Sequence, residues 1–381
     1  MVTIKPVKLS SSLKHPASDQ THNKLTSAEQ GKLWATYVGN TMSVCVLSYM
    51  LNHVEDREIK KVLEHAIGLS RQFVQFIKEL YTKENYPIPQ GFTEQDVHIG
   101  APRLFEDEFY LHYLKYVGKA GISLYGIAIP LMTRPDVRDF FTQCIDQTVQ
   151  FLNQVNEALL SKGPLLKPAH IPYPDKIDFI HKQSYLNGFF GNVRPLQALE
   201  ITHLYDNLEN NATSKAVLIG FSQVARLEQA RNYFLRGREI ATKHYDILHK
   251  VLQNEDLTSP NLIDPLVTTS TVAPFSDKLM LFHKLDMYAV RIRAYGNAVS
   301  MSPRHDVAEK YGRFILEVGN YVEDGANILI DHGWLERASA SREPRRFSFE
   351  RVNACCTFRL CPHEVRQSLF RCASFAISII L

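Results

Sequence analysis

The chain lacks most of the features that would point at once to a membrane, an export route or a familiar active site. No apolar run approaches the roughly 20 residues that span a bilayer, and the apolar stretch Ala373–Leu381 is far too short. Met1–Pro16 holds no apolar core of signal-peptide length, so secretion by that route is not expected and a cytoplasmic location is. There is no Gly-rich phosphate loop and no G-x-S-x-G elbow. Cysteine is scarce, at six in 381 residues. Cys45 and Cys144 stand alone among apolar neighbours with no base beside them, and read as small packing residues. The other four, Cys355, Cys356, Cys361 and Cys372, crowd the last stretch. With His363 they lack the C-x-x-C spacing of a zinc site, and no disulfide framework is visible in the body.

Charge is lopsided in the same way. From Arg337 onward there are eight Arg, no Lys and three Glu, which leaves 35 basic and 37 acidic residues for everything before it. The body is therefore close to neutral, which argues against a nucleic-acid surface, since phosphate binding needs clustered positive charge. An apolar fraction of 45% and a charged fraction of 22% are those of a globular protein rather than a disordered one.

What is present is a long internal repeat. At an offset of 171, Leu25, Glu29, Leu33, Asn40, Ser43 and Val46 fall on Leu196, Glu200, Leu204, Asn211, Ser214 and Val217. After one gap the offset becomes 170, and Phe105, Asp107, Leu111, Tyr125, Gly126, Asp136 and Val137 meet Phe275, Asp277, Leu281, Tyr295, Gly296, Asp306 and Val307. A repeat this long means duplicated domains rather than a solenoid. The expected layout is a leader over 1–24, a first bundle over 25–163, a Pro/aromatic linker over 164–195, a second bundle over 196–336 and an atypical tail over 337–381.

Within each copy the apolar residues recur at helical spacing, as in Leu33, Tyr37, Val44, Leu47 and Leu51. The pattern predicts helices at about 27–53, 57–84, 104–132 and 135–162, then 198–224, 226–255, 276–301 and 304–332. Short loops join helices one and two, and three and four. The second and third are separated by Asn85–Arg103, with Pro87, Pro89 and Pro102. Such a connection, of roughly 60 Å when extended, can return along a helix of roughly 42 Å and let helices two and three run parallel. The expected fold is all-α: two tandem ferritin-like up-down four-helix bundles, each with a long crossover. The linker aromatics Tyr173, Phe179, Tyr185, Phe189 and Phe190 are expected to pack on the bundles and fix their relation.

The stretches LTSAEQGKLWATYVGNTMSVCVL, PIPQGFTEQDV, PRLFEDEFYLHYLK, GFSQVA, PFSDKLMLFH and YVEDGANILIDHGWLE resemble a two-repeat family common in spore-forming bacilli. The resemblance covers about Leu25–Glu336. It implies a ferritin-like fold, an uncharacterised activity and, through the names of some relatives, a tie to the spore or its coat. The tail departs from the family pattern, and its switch from Lys to Arg with a burst of Cys reads as a frameshifted or otherwise non-native end.

A ferritin-like fold raises the question of a di-iron site, which needs Glu-x-x-His pairs on two helices. Glu64 and His65 are adjacent, and Glu239 and His244 lie about 140° apart around their helix. The one spaced pair, Glu200–His203, begins helix one, where its counterparts are Glu29 and Lys32. No metal site is expected. Glu209, His244, His283, Asp286 and Glu317 remain as candidate ligands inside the second bundle for iron, manganese or zinc; Glu239 is expected to face solvent. His244 lies on an apolar stripe, where its counterpart is Phe73, and is expected to be satisfied by a carbonyl or water.

The polar residues shared by both copies have structural explanations. Thr26–Glu29 is a capping box, and Glu200 occupies the same first turn. Asp107 and Asp277 start helix three; Asp136 and Asp306 start helix four. Asn40 and Asn211, in mid-helix, are expected to set register. The resulting expectation is a non-catalytic structural or interaction module whose partners are other proteins or its own copies. The alternatives are a metal- or small-ligand-binding protein with its site in the second bundle, and an enzyme using a pocket between the copies or under the linker.

Overall fold

A computed structural model describes residues 24–163, 167–191 and 193–340. The leader up to residue 23 and the tail from 341, with its cysteines and His363, lie outside the described residues. The long helices are α1 (Ser27–His53), α2 (Arg57–Lys83), α3 (Asp107–Ala128), α4 (Pro135–Lys162), α5 (Ala198–Val224), α6 (Glu228–Gln253), α7 (Asp277–Met301) and α8 (His305–Asp331). The chain is all-α and forms two tandem helical bundles, each built from four of these helices.

Helix boundaries follow local chemistry. Thr26 and Glu29 form the reciprocal capping box that starts α1. Asp56 accepts from the amides of Glu58 and Ile59 to start α2. Pro135 opens α4, and Gly163, with φ of 80°, ends it in the left-handed conformation. Helix α3 is shorter at both ends than its apolar pattern suggests. Residues before Asp107 pair with the other copy, and Pro130 sits in a 3-10 turn at Ile129–Leu131.

Carboxylates in the first turns of helices set the helix order. Asp107, in the first turn of α3, accepts from the amides of Glu55 and Asp56 at 3.0 and 2.7 Å. The starts of α2 and α3 are therefore side by side, and the two helices run parallel. Glu29 accepts from the amides of Thr133 and Arg134 at 2.9 and 2.8 Å, which joins the starts of α1 and α4. The second copy repeats both links: Asp277 accepts from Arg226 and Leu227, and Glu200 from Arg304. The long crossover is what permits this order.

The crossovers also join the copies. The amide of His98 donates to the Pro274 carbonyl, and that of Thr268 to the Leu104 carbonyl. Glu106 donates to Leu266, and Ser276 to Asp96. Isolated bridges pair Val97 with Phe275 and Phe105 with Val267. Each of these links becomes its mate when the copies are exchanged at an offset of 170, so a local twofold axis passes between the crossovers. Two irregular segments thereby satisfy each other's backbone groups, which burial would otherwise leave costly. Helices one and three of each copy line this boundary, with α1 against α7 and α3 against α5.

The linker does not play the part expected of it. Tyr173, Phe179 and Phe190 are 95%, 73% and 82% exposed, and Ile177 and Ile180 are exposed beside them. Among the described residues its later part is anchored: Arg194 stacks on Tyr185 and pairs with Glu200, and Gly188 lies against Asp306. Residues beyond α8 do return to the first copy. Glu336 accepts from the amides of Gln90 and Gly91, and Ser339 bonds the Tyr86 hydroxyl.

Candidate functional site

The five candidate ligands do not converge. Glu209 leaves the second bundle's interior for the boundary, where it pairs with Lys115 at 2.7 Å and Lys119 at 3.3 Å. Lys119 also holds Asp206 at 2.6 Å. Burial pulls the Lys119 ammonium down, but Asp206 and Glu209 outweigh it and raise the group overall. His283 is likewise at the boundary, where its Nε2 lies 2.7 Å from the Tyr113 hydroxyl. Asp286 faces a cavity in the first bundle, where burial pushes its carboxyl up. Glu239 is exposed.

Only His244 and Glu317 meet. His244 Nε2 lies 3.1 Å from a Glu317 oxygen and Nδ1 lies 3.0 Å from the Tyr295 hydroxyl. Asn211 in turn donates to Tyr295 at 3.0 Å. Burial lowers His244 to about 4 despite Glu317, while Lys243 and His244 hold Glu317 below its ordinary value against its own burial. The network therefore assigns a neutral ring, Nε2–H donating to the carboxylate and Nδ1 accepting from tyrosine. The partners are side chains rather than the carbonyl or water expected. A histidine held neutral in this way, with both nitrogens engaged, is a structural bridge rather than a base working near pH 7. Asn40 makes the same bond to Tyr125 at 3.4 Å, but Phe73 ends the network there. Asn40 and Asn211 each also donate to the carbonyl one turn back, at 2.7 Å, so the pair ties helix one to helix three in both copies.

Asp136 and Asp306 hold the arginines that precede their helices. Arg134 bridges Asp136 and Glu84, and Arg304 bridges Asp306 and Glu255. Among the described residues, no group of three or more His, Cys, Asp and Glu side chains is placed to hold a metal ion.

The least expected groups lie on one face of α7. Lys284 and Arg291 are fully buried and flank Tyr288, at 5.0 and 4.6 Å from its ring centre. Lys284 donates to Ser214 Oγ at 2.8 Å, and burial drives its amine well below the ordinary lysine range. Among the described residues no guanidinium nitrogen of Arg291 makes a hydrogen bond of good geometry, and the group stands over the Tyr288 ring. In the first copy the same positions are Leu114, Gly118 and Gly121. Where the second bundle carries a tyrosine and an arginine, the first has no side chain.

A cavity of about 130 Å³ lies there, lined by Trp34, Gly39, Phe73, Gly118, Gly121 and Phe151, with His283, Asp286 and Arg293 of the second copy on one side. The hollow is thus in the first bundle, whereas the ligand-binding alternative placed a site in the second. Sequence comparison of the copies contains part of the signal, because Gly39, Gly118 and Gly121 stand where the second copy has Asn210, Tyr288 and Arg291, but spacing alone gives no volume.

These contacts define a class: a duplicated helical-bundle protein whose copies face each other across a local twofold. The chain belongs to the family described as protein of unknown function DUF3231, matched twice, over residues 17–177 and 184–344. Among solved structures it is similar to a Bacillus halodurans protein described as a "putative spore coat protein", at 21% identity over 42% of this chain and 100% of that one, with a TM-score of 0.35. Among curated proteins there is no match.

Proposed function

We propose that the protein is a non-catalytic, ferritin-like helical module that packs against protein surfaces, its own copies included, in the spore or coat of a spore-forming bacterium. The observation that carries this reading is the linker. Tyr173, Ile177, Phe179, Ile180, Phe189 and Phe190 lie exposed within one short segment, and large apolar side chains gathered at the surface favour association. The polar residues shared by the copies support it from the other side, since they are engaged as caps and helix ties. The spore setting rests on the family resemblance alone.

Sedimentation over a range of protein concentrations tests the proposal. Concentration-dependent association is expected, and serine at Tyr173, Ile177, Phe179 and Phe190 should abolish it without changing helicity. A monomer at every concentration would overturn the assembly reading. Elemental analysis of protein made without a His-tag addresses the metal alternative, which requires near-stoichiometric iron, manganese or zinc.

A further inference from the structure

We infer that the first bundle binds a small neutral aromatic molecule bearing one hydrogen-bonding substituent, of about the size of phenol, in the cavity beside Gly39, Gly118 and Gly121. The cavity's volume, about 130 Å³, is close to that of engineered apolar cavities of roughly 150 Å³ that take up benzene. Rings of Trp34, Phe73 and Phe151 line it, offering faces and edges to an aromatic guest.

The hollow is written into the sequence. A Cβ at Gly118 would meet the Leu152 side chain at 2.5 Å and one at Gly121 the Tyr125 ring at 3.2 Å, so the space next to these two glycines is already taken. A Cβ at Gly39 would meet nothing within 4 Å, so that backbone borders open space. The second copy fills the matching positions with Asn210, Tyr288 and Arg291.

A polar handle is also in place. Asp286 lines the cavity with a half-buried carboxyl, and burial pushes it towards its protonated form. A half-buried carboxyl gains from a hydrogen-bond partner, and a guest's own hydroxyl would supply one. Asp286 and Arg293 close the side against α7, so the second copy completes the wall.

The full chain is titrated with phenol and with benzene, by saturation-transfer NMR and by calorimetry. Saturable binding of phenol is expected, with benzene weaker. Gly39→Leu places a side chain in the open space and should weaken both by at least about tenfold while the thermal midpoint holds or rises, since glycine is a poor residue inside a helix. Asp286→Leu should reduce phenol to the benzene level and leave benzene unchanged. Gly39→Ala serves if leucine proves too large to fold. No saturable binding of either probe, or binding that Gly39 variants with wild-type helicity leave intact, would overturn the proposal.

Discussion

Tyr113 and His283 occupy the same position in the two copies, and they touch each other. The tyrosine hydroxyl lies 2.7 Å from His283 Nε2, and the rings stack with centres 5.5 Å apart. Contact between equivalent residues is the signature of a twofold axis. Ser123 and Arg293, also equivalent, meet at 3.1 Å farther along the same helices. The pair of bundles is thus a dimer-like assembly contained in one chain, in which a former identity has become a complementary pair.

Asp107 and Asp277 tie the start of helix three to the start of helix two in each copy. Asp107→Ala and Asp277→Ala should each lower stability by about 1–2 kcal/mol, as lost caps do. The two carboxylates share no hydrogen-bond partner, so the double variant should show nearly the sum. Urea unfolding checks this. An unchanged midpoint in either single variant would remove that carboxylate from the account.

Stability should fall as pH drops from about 6.5 towards 4. Burial holds His112 and His244 near 4 and His283 near 3, below the ordinary histidine value. In that window the unfolded chain binds protons that the folded chain refuses, at about 1.4 kcal/mol per pH unit for each fully divergent group. Below about 4.5 the loss continues for another reason, because the hydrogen-bonded carboxylates Glu29 and Glu200 are held under their ordinary value against burial. His244→Phe, which copies Phe73, should flatten the first part of the curve. An imidazole NMR titration that places His244 near 6.5 would refute the sign.

Glu209 holds two lysines of the opposite copy. Glu209→Gln should cost about 1–3 kcal/mol, less than a fully buried pair because Lys119 and Asp206 retain some exposure. Added salt should narrow the gap between variant and wild type, as screening weakens the wild-type pairs. A gap that widens with salt would mean that packing, not charge, dominates there.

Glu336→Ala should lower the melting temperature by a few degrees, through about 1 kcal/mol lost at the Gln90 and Gly91 amides. Cutting the chain just after Glu336 keeps these bonds and, among the described residues, loses the Ser339 bond and the packing of Ala338, so it should cost less than the substitution.

Helices, duplication and the capping box were legible because they depend on residues three and four apart, or on an offset that counting reveals. Partners across space were not. Asp107 and Glu29 could be placed in first turns from sequence, but not against the starts of neighbouring helices. His244 was legible as an odd residue on an apolar stripe, whereas Glu317 and Tyr295 as its two neighbours required the packed helices. The linker misled because its aromatics look like packing residues, and composition does not say which surface, if any, they meet. Arg291 and Gly121 were separately unremarkable; their meaning appears when the two bundles are compared in three dimensions.

A homodimer suffers every substitution twice, on both sides of its axis. Here each half of the boundary can change by itself, so Lys115, Lys119, Asp206 and Glu209 form a charged seam on one side, while Ala35, Val38, Leu285 and Ala289 occupy the matching positions on the other. Fusion releases the interface from self-complementarity. One bundle is then at liberty to become solid and the other to stay hollow, a division of labour that separate identical subunits could not inherit.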